Sequence, residues 1–124
     1  MSARRRRTLP ALGWAELRAC FLALPGVSEG LSYGTPAFRV AKILLARLHQ
    51  GGHDLVLRAS FEEREMLIAA APERFHVTPH YVAHPWVLVR LEGLALRDLE
   101  PLVEQAWRAH APQRAIARFE AVRR

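Results

Sequence analysis

The chain contains 124 residues and carries a formal charge of +6, with 51% hydrophobic and 24% charged residues. This length predicts one domain with a single hydrophobic core, and the composition excludes an intrinsically disordered protein. The one cysteine, Cys20, excludes an internal disulfide and a zinc site built from cysteines.

Basic residues are concentrated at the two ends of the chain. Arginines occupy positions 4–7 and four of the last eleven positions, whereas residues 8–113 hold ten basic and eleven acidic side chains. We therefore predict a basic N-terminal tail over residues 1–12, one domain over residues 13–113 and a basic C-terminal tail over residues 114–124. Such ends are usually solvated and mobile, and the alternative is an arm that contacts phosphates.

No segment has the pattern of a signal peptide or a membrane span. Glu16 and Arg18 interrupt the apolar residues that follow the N-terminal arginines, and no apolar run approaches the ~18 residues that a span requires. We expect a cytoplasmic protein without membrane contact, which agrees with its lone thiol.

Apolar residues recur at spacings of three and four in three segments, which predicts three amphipathic helices. Pro25-Gly26 ends the first helix, and Pro112 ends the third. A capping box begins the second helix, because the Ser60 side chain can accept from the Glu63 amide and the Glu63 carboxylate can accept from the Ser60 amide. The predicted helices cover residues 14–24, 61–71 and 99–111.

Branched and apolar runs between the helices predict strands. A Gly-Gly turn between two such runs indicates one β-hairpin, and Pro79 restricts the first run of a second hairpin to an edge strand or bends it. Because hairpins predominate and no βαβ unit is evident, we predict an α+β domain with a mostly antiparallel sheet and helices on one face. The predicted strands are Phe38–Val40, Ile43–Leu48, Leu55–Ala59, Phe75–Tyr81 and Trp86–Leu91.

Residues that could carry chemistry form no recognisable catalytic or metal site. His49 and His53 flank the Gly-Gly turn without a strong third ligand, so polar loop histidines are expected and no metal or cofactor is predicted. Cys20 lies within a helix, and no nucleophile motif is present. We expect a protein that is not an enzyme; a catalytic alternative would require His80, Tyr81 and a carboxylate to converge in a pocket.

Basic side chains on the predicted strands offer a nucleic-acid interface. If some of them project to the uncovered sheet face, they form a basic patch beside aromatic rings that could stack on bases. The structural alternative fits equally well, since arginine stems also cover apolar sheet and Trp86 could belong to the core or its rim. The candidate phosphate contacts are Arg39, Lys42, Arg47, Arg58 and Arg90.

Several segments together resemble the MmcQ/YjbR-like family, over about residues 13–113. They are Leu24–Val27, Tyr33–Val40, Lys42 with Ala46–Leu48, Glu63–Leu67, Thr78–Tyr81 with Pro85–Val87, and Ala106–Arg108 with Ala111–Pro112. The resemblance implies a compact α+β fold similar to secretion-chaperone-like folds, and DNA binding through two β-hairpin wings. The matching wing tips here, Gln50–His53 and Val82–Pro85, carry histidine and glycine where phosphate contacts would favour arginine or lysine.

Two hypotheses for function follow. The first is a non-enzymatic DNA-binding module, with phosphate contacts from the basic strand residues Arg39, Lys42, Arg47, Arg58 and Arg90 and with Trp86 beside them. The second is a protein–protein or small-ligand binding domain, or a homodimer, whose groove or dimer face is formed by Tyr33, Thr35, His80 and Tyr81.

Overall fold

Six strands and four helices make up the part of the chain that the computed structural model describes, residues 13–123. In chain order they are α1 (Trp14–Leu22), β1 (Val27–Ser32), β2 (Thr35–Val40), β3 (Ile43–Leu48), β4 (Asp54–Arg58), α2 (Phe61–Ala70), β5 (Phe75–His76), β6 (Trp86–Arg90), α3 (Leu96–His110) and α4 (Gln113–Arg123). The strands form one sheet in the order β1-β2-β3-β4-β6-β5, and every pairing is antiparallel. The predicted α+β class with an antiparallel sheet is confirmed.

Strand β1 is one element that the sequence pattern does not predict. Its residues, Val27–Ser32, include two serines and a glycine and lack the apolar alternation of the other strands. It forms because a tight turn returns the chain onto β2: Tyr33 and Gly34 have φ of 52° and 79°, as a two-residue hairpin turn requires. Six residue pairs then align β1 with β2.

The two predicted hairpins differ in the structure. The β3–β4 hairpin has the expected tip, where Gly51 and Gly52 adopt positive φ and the His49 amide donates to the Asp54 carbonyl. In the second hairpin only Phe75–His76 pairs with β6, so the predicted strand to Tyr81 is too long. Residues 77–85 instead form successive turns, which we call the β5–β6 loop. Pro79 lies in this loop and cannot donate to a strand ladder.

The C-terminal residues form a helix instead of the predicted basic tail. In α4, Ala115 is buried and the Phe119 ring packs edge-on against Trp107 at a centroid distance of 5.0 Å. Apolar residues at positions 115, 116 and 119 supply the stripe that docks this helix. The predicted N-terminal tail lies outside the described residues.

The helices pack against one sheet face, which carries the apolar alternate residues of the strands. Leu55 and Leu57 of β4 belong to this core, as do Val87 and Val89 of β6. The Phe21 ring of α1 stacks on Phe38 of β2 at a centroid distance of 4.3 Å. Between residues 13 and 123, no helix has both the length and the apolar character needed to cross a membrane.

Trp107 joins α3 to the chain reversal after α1. Its side chain is fully buried, and its indole N–H donates to the Pro25 carbonyl at 2.9 Å. The bond satisfies a carbonyl beside Gly26, whose φ of 82° turns the chain into β1. This contact therefore fixes where the sheet begins relative to the helices.

We expect Trp107→Phe to lower the free energy of unfolding by about 1–3 kcal/mol, because the partly buried Pro25 carbonyl loses its donor. Urea denaturation measures this change. Trp14→Phe is the matched control, since the half-buried Trp14 ring stacks on Phe38 at 5.7 Å without an indole hydrogen bond in the described structure. An equal loss in both variants would contradict a specific role for the hydrogen bond.

Candidate functional site

The sheet face opposite the helices, which we call the outer face, gathers most of the predicted basic residues. Residues of β4 and β6 that alternate with the core positions point to this face, and they include Arg58, Trp86 and Arg90. Arg47 of β3 pairs with Val56, which alternates with the core leucines of β4, so Arg47 shares this face. Arg39 lies between the core residues Phe38 and Val40 of β2 and points the same way.

Arg47 is buried at the centre of the outer face, with 5% of its surface exposed. Its Nη1 donates to the Tyr81 hydroxyl at 2.5 Å, and its Nε donates to the Ser32 carbonyl at 3.4 Å. The guanidinium carbon also lies 5.4 Å from the centre of the Tyr33 ring. Arg47 therefore fastens the β1–β2 turn and the β5–β6 loop to the sheet, and little of it faces solvent.

Arg58 and Trp86 form a cross-strand pair at one end of the outer face. They are directly opposite in the β4–β6 register, and the guanidinium carbon lies 4.5 Å from the centre of the Trp86 ring. The Arg58 Nε donates to the Leu44 carbonyl at 2.7 Å, and burial lowers the pKa of this arginine. Both side chains are half-buried, so part of each remains at the surface. This placement fits the alternative in which Trp86 belongs to the rim of the core.

Arg39, Lys42 and Arg90 are the more accessible members of the predicted set. The Arg39 Nη1 donates to the Leu31 carbonyl at 3.3 Å, and the Arg90 Nη1 donates to two carbonyls at 3.1 Å. A guanidinium has five N–H donors, so both keep donors for a ligand. Lys42 is exposed. It was expected on a strand, but it lies in the β2–β3 turn.

Acidic side chains are sparse on the outer face. The strands contain two of them, Glu29 and Asp54. Glu29 pairs with Arg18 of α1 at 2.7 Å and so lies on the helix side. Asp54 lies on the outer face, 3.2 Å from the His76 Nε2 and opposite Arg90 in the register. Among strand residues, four guanidinium groups thus share this face with one carboxylate, which makes it electropositive.

The four residues predicted to line a groove do come together, around Arg47. The Thr35 hydroxyl donates to the Ser32 carbonyl, which also accepts from Arg47. The His80 ring packs edge-on against Tyr81 at 4.7 Å, and Tyr33 is 84% exposed. His49 joins them, with its ring 6.1 Å from that of Tyr81. We call Tyr33, His49, His80 and Tyr81 the aromatic cluster.

Sequence reasoning missed Arg64, which holds the β5–β6 loop from the other side. Arg64 lies on α2 and is 4% exposed. It donates to the carbonyls of Val82, His84 and Trp86 at 2.9, 2.9 and 3.2 Å. The signal was available: Arg64 precedes Leu67 and Ile68 by three and four residues, which places it on their side of the helix.

The two predicted wing tips are built differently. Residues Gln50–His53 form an exposed turn that contains a histidine but no arginine or lysine. The Val82–Pro85 segment is part of the β5–β6 loop, and its Val82 and His84 carbonyls accept hydrogen bonds from Arg64. Within residues 13–123 no group of three or more histidine, cysteine or acidic side chains could hold a metal ion.

Comparisons with known proteins agree with this architecture. The model of the YjbR family matches residues 22–109. Uncharacterized protein Mb2600 of Mycobacterium bovis and Uncharacterized protein Rv2570 of Mycobacterium tuberculosis are each 44% identical over 53 residues, 43% of this chain. The matched segment spans only 41% of the length of these relatives.

A solved structure extends the likeness at the level of the fold. The crystal structure of Deinococcus radiodurans protein DR2400, with the family-model domain DUF419, has a TM-score of 0.66 to this chain. It is 24% identical, and the superposition covers 80% of this chain and 78% of the other. The fold and site define a small α+β domain with one helix-covered and one electropositive sheet face. The chain belongs to the YjbR family, whose model covers most of its length.

We expect Arg64→Met to lower the free energy of unfolding by about 2–3 kcal/mol, because the loop carbonyls lose a charged donor. Hydrogen exchange of the amides in residues 77–86 should become faster than exchange in β3 and β4. Arg97→Met, at an exposed position of α3, is the control and should change stability by less than about 0.5 kcal/mol. Unchanged protection of the loop amides in Arg64→Met would contradict the anchoring role.

The Cys20 thiol should react slowly with alkylating reagents. Burial, and to a lesser extent the nearby Glu100 carboxylate, raises the pKa of Cys20 from 9.0 to about 11. The thiolate is the reacting form, so the rate near neutral pH should be about 100-fold below that of a free thiol. Iodoacetamide labelling followed by mass spectrometry measures the rate in the folded protein, with urea-unfolded protein as the reference. Equal rates in the two states would refute the expectation.

Proposed function

We propose that this protein is a non-enzymatic DNA-binding domain that uses its outer sheet face. The observation that carries the proposal is the charge on that face: four guanidinium groups and one carboxylate among the strand residues. Phosphate contacts supply most of the non-specific affinity for DNA, and arginine forks match phosphate geometry. The DNA-binding role implied by the resemblance in the sequence points to the same class of ligand.

The five predicted phosphate contacts divide into two groups under this proposal. Arg39, Lys42 and Arg90 are accessible and would contact phosphates. Arg47 and Arg58 would act indirectly, because their guanidinium groups already hold neighbouring rings and carbonyls in place. A preformed surface of this kind lowers the conformational cost of binding.

Tyr33 would add a stacking contact. Its ring is exposed at the tip of the β1–β2 hairpin and lies near the Arg47 guanidinium, which restricts its motion. An exposed ring beside arginines can stack on an unpaired base or pack against a sugar. This contact would not depend on sequence, so the proposal implies binding with low sequence specificity.

A second candidate function is the binding of a protein or small ligand at the aromatic cluster. Exposed apolar side chains favour it, because Tyr33 is 84% exposed and Val82, which follows Tyr81 in the loop, is 49% exposed. Exposed apolar surface of this kind is common at protein interfaces. Tyr33→Ser separates the candidates: it should weaken DNA binding only modestly but abolish a contact centred on the cluster.

The DNA proposal is tested by fluorescence anisotropy with a labelled duplex at several salt concentrations. The variant R39Q/K42Q/R90Q should bind more weakly, and its log–log salt slope should be shallower by about 2.7, the contribution of three phosphate contacts. The variant R18Q/R97Q/R123Q is the matched control, because it removes the same charge at exposed helix positions away from the outer face. Equal losses in both variants would assign the binding to net charge and reject the proposed face.

A separate variant measures the contribution of the N-terminal arginines in the full chain. R4Q/R5Q/R6Q/R7Q removes the predicted arm and leaves the outer face intact. We expect this variant to keep measurable affinity for the duplex at low salt. Complete loss of binding would mean that the N-terminal arginines, and not the sheet, are responsible.

A further inference from the structure

A cleft of about 400 Å³ opens between the first turns of α4 and the β2–β3 turn, away from the aromatic cluster. Its apolar walls come from Pro25, Val40 and Pro112. Its charged lining residues are Arg114 and Arg118, both on α4 and both exposed. Among residues 13–123, no acidic side chain lines it. It therefore combines an apolar wall with unopposed positive charge.

The two arginines of the cleft differ from the other cations around α4. Arg108 is paired with Glu104 and Glu120 at 2.7 and 2.6 Å, and Arg123 is paired with Glu104 at 3.2 Å. By contrast, no described carboxylate lies within 4.0 Å of Arg114 or Arg118. The glutamates near this helix, Glu104 and Glu120, are thus paired with Arg108 and Arg123.

Arg114 and Arg118 are also neighbours on the same side of α4, because they are four residues apart. Like charges at this spacing destabilise a helix, and the effect is relieved when an anion binds between them. A pair of arginines presents enough N–H donors to satisfy several oxygens of one phosphate. The arrangement favours a phosphate over a carboxylate, since a phosphate offers more oxygens and a larger charge.

The opposite rim of the cleft is formed by a turn of defined conformation. Ala41 lines the cleft, and Ala41 and Lys42 have φ of 50° and 69°. Lys42 follows Ala41 in this turn and is exposed, so a third cation lies close to the rim. Proline and alanine side chains of the wall have few rotamers to lose on binding, so the apolar wall is largely preformed.

We propose that this cleft is a binding site for the phosphate group of an organic phosphate monoester. Arg114 and Arg118 bind the phosphate oxygens, and the apolar wall packs against the attached organic group. The phosphate belongs either to a free nucleotide or to the terminal phosphate of a nucleic-acid strand. The phosphate-binding residues Arg114 and Arg118 are not among the proposed DNA contacts, and Lys42 beside the rim is the one cation named for both surfaces. Loss of AMP binding in R114Q/R118Q therefore tests the cleft separately from DNA binding on the outer face.

The test is a titration of the ¹⁵N-labelled protein with AMP, followed by amide chemical shifts. AMP should shift amides of residues 40–42 and 113–118, with an affinity in the millimolar range or better, and adenosine should not. R114Q/R118Q should bind AMP at least about tenfold more weakly. R97Q/R123Q removes the same charge outside the cleft and should bind AMP like the wild type.

Several outcomes would overturn the proposal. They are the absence of AMP-induced shifts at millimolar concentration, equal shifts with adenosine, and equal weakening in the two double variants. Mapping the shifts on the wild-type protein requires no substitution, so it decides the question even if R114Q/R118Q is unstable.

The source of the phosphate is identified with a short single-stranded oligonucleotide that carries either a 5′-phosphate or a 5′-hydroxyl. If a strand end is the ligand, the phosphorylated form shifts the cleft amides at lower concentration than AMP does. If a free nucleotide is the ligand, AMP is the stronger of the two. Shifts of the cleft amides that do not depend on the 5′-phosphate would contradict the proposal.

Discussion

Two buried guanidinium groups fix the β5–β6 loop, and the shape of the outer face depends on them. Arg47 reaches this loop from the sheet through the Tyr81 hydroxyl, and Arg64 reaches it from α2 through three carbonyls. A buried cation is costly unless its N–H donors find acceptors, so each arginine is stable only when the loop lies where it does. The loop in turn carries His80 and Tyr81 to the aromatic cluster.

This arrangement gives arginine two uses in one small domain. On the outer face the sheet positions Val56 and Leu88 are buried although, within residues 13–123, they do not belong to the core beneath the helices. Long arginine stems are suited to cover apolar positions of this kind. Their guanidinium groups bond to main-chain carbonyls and aromatic rings and still leave the surface electropositive. Structural and ligand-binding roles are therefore not exclusive: Arg47 and Arg58 build the surface, while Arg39 and Arg90 keep donors for a partner.

On the helix side of the molecule, several arginines form ion pairs with glutamates. There Arg18 of α1, Arg108 of α3 and Arg123 of α4 pair with glutamates. The arginines of the outer face and of the cleft beside α4 have no described carboxylate within 4.0 Å. The near-zero net charge of residues 8–113 conceals this separation, because it is an average over surfaces that face in opposite directions.

Much of the fold could be predicted from local pattern. The capping box at Ser60 and Glu63 is formed with both of its hydrogen bonds, and β3 spans the predicted residues Ile43–Leu48. The elements that were missed have weak local signals: β1 depends on its pairing with β2, and α4 depends on docking of Phe119 against Trp107. In the site, the sequence predicts that Tyr33 and Tyr81 line one groove. It does not predict that Arg47, a candidate phosphate contact, bonds to Tyr81 and packs near the Tyr33 ring.

The sequence by itself determined the α+β class, the hairpin order and the family resemblance, because apolar periodicity, turn residues and caps act over a few neighbouring positions. Only the tertiary structure decided which arginines are buried and which remain free. That distinction depends on hydrogen-bond acceptors far away in the chain, such as the Tyr81 hydroxyl for Arg47. The residues next to an arginine in the sequence do not indicate whether such an acceptor lies beside it in the fold.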